Sequence, residues 1–197
     1  GRVILVDCVG SPVQRLKTAG VNQDAISDII LTHFHPDHVS ATPLLLMALW
    51  LTGRKAPMNI YGLSDTLDRM KSMLELYDYK SWPNFFPLAF MPMETDETVL
   101  IDDSFIKITG IPVNHLIPTI GIRVDFKRSG KSMAYSCDTE PCSAVERIAH
   151  DVDVLIHEAA GESKGHSSAT QAAQVAMNAG AKSLYLIHYP VAVESKV

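Results

Sequence analysis

Between Thr32 and His38 the chain reads Thr-His-Phe-His-Pro-Asp-His, directly after the apolar run Ile26-Ser27-Asp28-Ile29-Ile30-Leu31. The β-branched residues and leucine of that run make it a buried strand. In an extended backbone alternate side chains share a face, so His33 and His35 can grip one ion together. Asp37 and His38 lie past Pro36, where the strand gives way to a loop, and can turn toward a second ion. Ser40 or Thr42 with Pro43 then opens a helix. The spacing therefore demands a strand that ends in a loop holding two adjacent metals, with a helix leading away. A histidine-rich surface loop is the competing reading, and the density of donors behind an apolar strand weighs against it.

A chain of 197 residues suits one domain, residues 1–197, with a layered core. With 47% hydrophobic and 20% charged residues it reads as globular and soluble. The longest apolar run, Pro43 to Leu51, is too short to span a bilayer, so no membrane role is expected. The sequence opens inside a strand-like segment, Arg2 to Val6, without a signal peptide, which suggests that the natural N-terminus lies upstream. Cys8, Cys137 and Cys142 make no paired framework, and a reducing cytoplasm is the default compartment. A net charge of −5 gives no global pull toward nucleic acid. Arg54, Lys55, Arg69 and Lys71 read as a solvated face.

Strands and helices alternate with no linker, repeat or low-complexity tract. The pattern predicts a helix from Pro12 to Ala19 closed by Gly20, an apolar helix from Pro43 to Thr52, and a strand from Pro57 to Tyr61. Ser64 is placed as the cap of a helix running to Tyr77. The stretch from Trp82 to Met93, rich in proline and aromatic residues, reads as core, with Phe85, Phe86 and Phe90 alternatively forming a substrate wall or subunit contact. Strands follow at Ser104–Ile111, Ile120–Phe126 and Lys131–Ser136, the last two joined by the turn Lys127 to Gly130. Alternation then resumes: helix Cys142–Ala149, strand Val152–Ile156, helix Ser168–Ala179, strand Ser183–His188. Such an order suits an α/β fold of sheets covered by helices.

The other candidate residues stand where those strands stop: His115, Asp138, the pair His157-Glu158, and His188. A sheet edge that carries metal-type or acid–base residues at several strand ends is the pattern of an active site. Taken singly, His115 and His188 would be core histidines, and Asp138 would cap a helix opened by Thr139-Glu140-Pro141. Beside the histidine run, ligation accounts for all three. His157 reads as structural or supporting, and His150 as solvated.

His33-Phe34-His35-Pro36-Asp37-His38 resembles the histidine signature of the metallo-β-lactamase superfamily, and His115, Asp138 and His188 follow in the order of its later ligands. The resemblance implies an αββα sandwich of two stacked mixed sheets with outer helices, and a dinuclear site along one edge. It implies that His33, His35 and His115 hold one metal, that Asp37, His38 and His188 hold the other, and that Asp138 bridges them. Imidazole and carboxylate donors suit zinc, with manganese, iron or cobalt as alternatives. Histidine rather than glutamate at position 35 favours hydrolysis over the oxygen chemistry of diiron relatives.

Ile156-His157-Glu158-Ala159 and Gly165-His166-Ser167-Ser168 resemble segments of ribonuclease Z and its phosphodiesterase relatives, in which a glutamate orients a histidine that assists the leaving alcohol. The resemblance assigns Glu158 and His166 to those roles. The competing reading is a loop histidine beside a serine cap and a solvent-exposed Glu158. Two divalent ions about 3.5–4 Å apart can share a hydroxide and clamp a phosphoryl group. Asp37 can hold that hydroxide in line, and His166 can protonate the leaving oxygen. A small or cyclic phosphodiester uses all of these parts. Lactone, sulfate-ester or carboxylic-ester hydrolysis, ribonuclease Z itself, and a non-catalytic metal-binding module are the rival readings.

Three departures stand out. Only a compact hairpin separates His115 from Asp138, where bacterial ribonuclease Z carries a long arm that grips transfer RNA, so transfer RNA is not the expected substrate. Cys137 occupies a position commonly held by glycine and reads as a small buried thiol. The glycine-rich hairpin that usually precedes the first strand is missing. Similar enzymes dimerise through helices near Thr42–Thr52, which gives a homodimer as an expectation.

Overall fold

The computed structural model describes residues 2–190. It comprises two compact units, Gly1–Glu94 and Thr95–Val197. The first holds a four-stranded sheet in the order β1 (Val3–Val6), β2 (Ile26–Ile30), β3 (Met58–Leu63), β4 (Leu88–Met93). Every neighbouring pair is parallel, so this sheet is not the mixed one the resemblance implied. Parallel neighbours need crossover connections, and the helices α1 (Pro12–Thr18), α2 (Pro36–Val39), α3 (Thr42–Leu51) and α4 (Ser64–Leu76) supply them.

The central strands β2 and β3 are buried almost throughout, as strands covered on both faces must be. β4 was not anticipated. Pro92 speaks against a strand, but β4 lies at a sheet edge, where a missing amide costs no ladder bond. Phe86 is buried in the core with Ile26, Leu45 and Met58, and Phe85 and Phe90 pack against it. The Trp50 ring stacks on Trp82 at 4.9 Å, and its Nε1 donates to the Pro83 carbonyl at 2.9 Å. Phe85, Phe86 and Phe90 therefore belong to the core and its border.

Three local expectations change. Pro36–Val39 is a one-turn helix and not a loop: Pro36 sits at its first position with φ preset, and His38 and Val39 both donate to the His35 carbonyl. Ser64 does not cap α4, because β3 runs straight to Leu63 and Ser64 is already helical. Arg54 is not on a solvated face. It is 6% exposed and donates to the carbonyls of Asp24, Ile26, Ala56 and Pro57, which fixes the turn after α3 to the start of β2.

The second unit holds a six-stranded sheet in the order β10 (Leu184–Ile187), β9 (Val154–Glu158), β8 (Lys131–Tyr135), β7 (Thr119–Phe126), β6 (Ile106–Val113), β5 (Thr98–Asp102). β5 to β8 run antiparallel to their neighbours, whereas β8, β9 and β10 are parallel. The unanticipated β5 is short and half exposed, which blurs its pattern. β6, β8, β9 and β10 consequently end at the same edge. Helices α5 (Ser143–Ile148) and α6 (Ala169–Ala179) bury Val145, Ile148, Val175 and Ala176 around Leu155 of β9. α5 begins with Cys142 at its cap, so Asp138 caps no helix. α6 starts from a Ser168/Gln171 capping box, a device worth about 1 kcal/mol, and closes at Gly180 in the left-handed region.

His157 points into this unit without exposure, its Nδ1 2.8 Å from the Glu158 carbonyl oxygen, and its Nε2 has no hydrogen-bond partner among the described residues. Burial lowers its pKa below the ordinary histidine value, outweighing the opposite pull of the Glu158 carbonyl and carboxylate. The unfolded chain therefore takes up this proton first as pH falls. The stability due to neutral His157 is complete above about pH 6.5 and drains away below it, at no more than about 1.4 kcal/mol per pH unit. Denaturant midpoints between pH 7.5 and 5 should fall more steeply for the natural protein than for His157→Gln. Equal slopes would remove His157 from the acid response.

Candidate metal centre

In the first unit, Asp7 and the histidine run leave the carboxyl ends of the adjacent parallel strands β1 and β2. Asp7 sits at φ 56°, a left-handed conformation that turns its carboxylate across to β2. There Oδ1 accepts from the Thr32 amide and Oδ2 from the Thr32 hydroxyl, both at 2.8 Å. Oδ2 also lies 2.7 Å from His38 Nδ1. With its single proton given to Asp7, the Thr32 hydroxyl is the acceptor for His33 Nδ1 at 3.1 Å. The protons of both imidazoles are thus assigned to Nδ1, which makes Nε2 the lone-pair atom of His33 and of His38. Such a carboxylate behind a ligand histidine raises its basicity and fixes its ring.

His33 Nε2 lies 3.0 Å from His35 Nδ1. Two nitrogens held about 2.0–2.1 Å from one zinc at a tetrahedral angle lie roughly 3.3 Å apart, close to this spacing. Asp37, the second residue of α2, has a largely exposed carboxylate 3.8 Å from His38 Nε2. The loop is pinned from behind, since the Cys8 amide donates to the His38 carbonyl at 2.7 Å and Ala41 donates to the Cys8 carbonyl. Burial pushes the Cys8 thiol up to about 12, beyond what the Thr42 hydroxyl offsets, and it stays neutral.

In the second unit, the common edge of β6, β8, β9 and β10 carries His115, Asp138, Glu158 and His188. Asp138 is buried, with Oδ1 3.2 Å from His188 Nδ1 and Oδ2 4.0 Å from His115 Nε2. Cys137 before it is buried at φ 54°, which explains why glycine would be the easy residue there. His188 also takes a left-handed turn, at φ 53°, where β10 ends. His115 Nδ1 donates to the Gly165 carbonyl at 2.7 Å, so Nε2 carries its lone pair as well.

Glu158 is wholly buried, not solvent-exposed. Its Oε1 accepts from the amides of Thr139 and Ser167 and lies 3.0 Å from His166 Nδ1; Oε2 accepts from the Ala160 amide at 2.7 Å. The carboxylate fixes His166 through Nδ1. Glu158, His166 and His188 bring one ligand atom each within 4.8 Å of one another. His150 is exposed.

Residues 2–189 match the beta-lactamase superfamily domain. The chain belongs to the metallo-β-lactamase superfamily, in its ribonuclease Z-like branch. Its sequence is 30% identical to ribonuclease Z of Mycobacterium marinum over 98% of this chain and 78% of that one. The crystal structure of the short form of human tRNase Z superposes with a TM-score of 0.74 at 24% identity, over 95% of this chain and 82% of that one. A diphosphatase of the PhnP family gives 0.71 at 20% identity, over 96% and 70%. The fold is that of the superfamily, and the protein is a metal-dependent hydrolase. Divalent metal is implied, and the donor chemistry fits it: His33, His38 and His115 each spend Nδ1 on a protein oxygen, which makes Nε2 the atom that could hold an ion.

Asp7 was missed by the sequence reading. The signal was there, as an aspartate ending an apolar strand, but only the pairing of β1 with β2 brings it to the histidines. No helix among the described residues is long and apolar enough to cross a membrane.

Proposed function

We propose that the protein is a dinuclear phosphodiesterase acting on small or cyclic phosphodiesters. In this reading residues 1–197 form one domain, and the two sets of donors make one centre. His33, His35 and His115 hold one ion, Asp37, His38 and His188 the other, and Asp138 bridges. Zinc suits this set best, with manganese or iron as alternatives. Family membership and the complementary donor sets of the two units support it. Bound divalent metal would supply an activated water at neutral pH and charge stabilisation for the phosphoryl oxygens.

The chain's own residues do the rest. Asp7 and Thr32 hold the imidazoles of His38 and His33 in their ligating tautomers. Asp37 accepts a hydrogen bond from the attacking water and orients it. His166, fixed at Nδ1 by Glu158, delivers a proton from Nε2 to the departing oxygen. The pairing of buried Glu158 with half-buried His166 carries the proposal, because a proton donor matters most where the leaving group is a poor alkoxide. Cys8, Cys137 and Cys142 form no disulfide among the described residues, which suits a reducing cytoplasm. Leu44, Met47 and Leu51, exposed along one side of α3, would suit a homodimer contact.

Transfer RNA maturation is the rival reading, carried by the similarity to ribonuclease Z. Against it stands the hairpin β7–β8, whose four cations are all engaged within the second unit. Arg123 donates to the carbonyls of Ile148 and His150, Lys127 pairs with Asp102, Arg128 lies 4.1 Å over the Phe105 ring, and Lys131 pairs with Asp153 at 3.0 Å. Four cations on so compact a hairpin offer little surface to bind phosphates and release counterions. The protein should hydrolyse bis(nitrophenyl) phosphate and 2′,3′-cyclic nucleotides faster than lactones or sulfate esters, and cleave precursor transfer RNA weakly at physiological salt. Accurate, efficient 3′ cleavage of a precursor transfer RNA would overturn the substrate assignment.

A further inference from the structure

The second unit holds a closed cycle of hydrogen bonds that the reaction described above does not use. His115 Nδ1 donates to the Gly165 carbonyl, and the Gly165 amide donates to Glu140 Oε1, both at 2.7 Å. The Glu140 amide donates to the Asn114 carbonyl at 2.8 Å, and the Asn114 amide to the Thr139 hydroxyl at 3.1 Å. Three loops are thereby joined: the one after β6 with His115, the one after β8 with Asp138, and the one before α6 with His166. Gly165 is the crossing point. Its φ is +82°, and a Cβ there would lie 2.9 Å from Leu116 Cγ and 3.0 Å from His115 Nδ1. Gly165 is thus held at both its backbone amide and its carbonyl, one residue before His166. Glu140 and Lys164 line both a cleft of about 440 Å³ beside His115 and one of about 330 Å³ beside His166.

We propose that Glu140 is a positioning residue: by holding the Gly165 amide it couples the placement of the ligand His115 to that of the proton donor His166. The inference rests on the reading of His115 and His166 given above. A residue gripped at both its amide and its carbonyl transmits small displacements instead of absorbing them, and a misplacement near 1 Å can cost about 10²-fold in rate. Holding His115 by its Nε2 therefore also sets where His166 sits. A carboxylate suits the role because it bonds the amide more strongly than a neutral acceptor does.

The test compares Glu140→Ala, Glu140→Asp and Glu140→Gln with the natural protein and His166→Ala, on aryl phosphodiesters graded in leaving ability. Glu140→Ala should lower kcat for the poorest leaving group about tenfold more than for nitrophenolate, with little change in KM. Glu140→Asp, which keeps the charge but withdraws the oxygen, should do the same to a smaller extent. Glu140→Gln, whose amide oxygen still reaches Gly165, should restore most of the loss. A second readout needs no turnover. Zinc titration should shift the Gly165 and His166 amide resonances of the natural protein together, whereas in Glu140→Ala the His166 response should shrink. Uniform slowing across leaving groups, no rescue by glutamine, or an unchanged His166 response would overturn the proposal. If His166→Ala itself shows no leaving-group dependence, the general-acid reading fails instead. If His166→Ala shows it and Glu140→Ala does not, only the role of Glu140 falls.

Discussion

Asp138→Ala should strip the protein of metal and of activity together. In the structure this buried carboxylate reaches toward His188 with one oxygen and toward His115 with the other, so a single side chain supports donors from two strand ends. The natural protein, purified without chelator and reconstituted with zinc, should hold two ions per chain by elemental analysis. Asp138→Ala should hold about one or none, and kcat/KM should fall about 10³-fold or more, since the metals contribute several kcal/mol to the transition state. Asp7→Ala makes the informative contrast. Asp7 supports His38 from behind, and loss of such a partner costs about 10–100-fold in metal affinity. Its activity should therefore return in excess zinc, whereas that of Asp138→Ala should not. One ion per chain in the natural protein would sink the dinuclear assignment, and full occupancy in Asp138→Ala would remove Asp138 as its bridge.

The alternation of apolar runs and helix signals made most elements legible, because β2 and β3 are buried almost throughout and each connection between parallel neighbours has to be a helix. What stayed hidden was decided by position within a sheet. β4 contains Pro92 and β5 is half exposed, and only an edge location makes them strands. Arg54 illustrates the same limit. A cation after Gly53 looks solvated until four carbonyls from separate segments converge on it.

The site was legible wherever its chemistry is local. His33 and His35 lie two apart in extended chain, and His38 follows a proline that starts a helical turn. Glu158 and His166 were found by motif, but the reason they work together is tertiary: the Thr139, Ala160 and Ser167 amides converge on the same carboxylate. Asp7 and Glu140 escaped notice for one physical reason. Each acts on a histidine at least 25 positions away through a hydrogen bond, directly for Asp7 and through Gly165 for Glu140, and no local period records such a pairing.

His166→Ala should leave metal content unchanged and slow turnover according to the leaving group. A general acid is worth about 10²–10⁴-fold where the departing oxygen is strongly basic. An alkyl or nucleoside leaving group should show that loss, whereas nitrophenolate, which departs without a proton, should recover most of the rate. Glu158→Gln tests the support of that histidine. The glutamate accepts from three amides and from His166, so replacing one oxygen by an NH₂ sets a donor against a donor in a buried site. The mismatch should cost about 1–3 kcal/mol in stability, read by denaturant unfolding. It should also slow poor leaving groups more than good ones, because His166 loses the anchor at Nδ1 that aims Nε2. Loss of metal from His166→Ala would make His166 a ligand, and equal slowing of all leaving groups would remove it as the proton donor; either result would return the leaving group's protonation to water or to another residue of this edge.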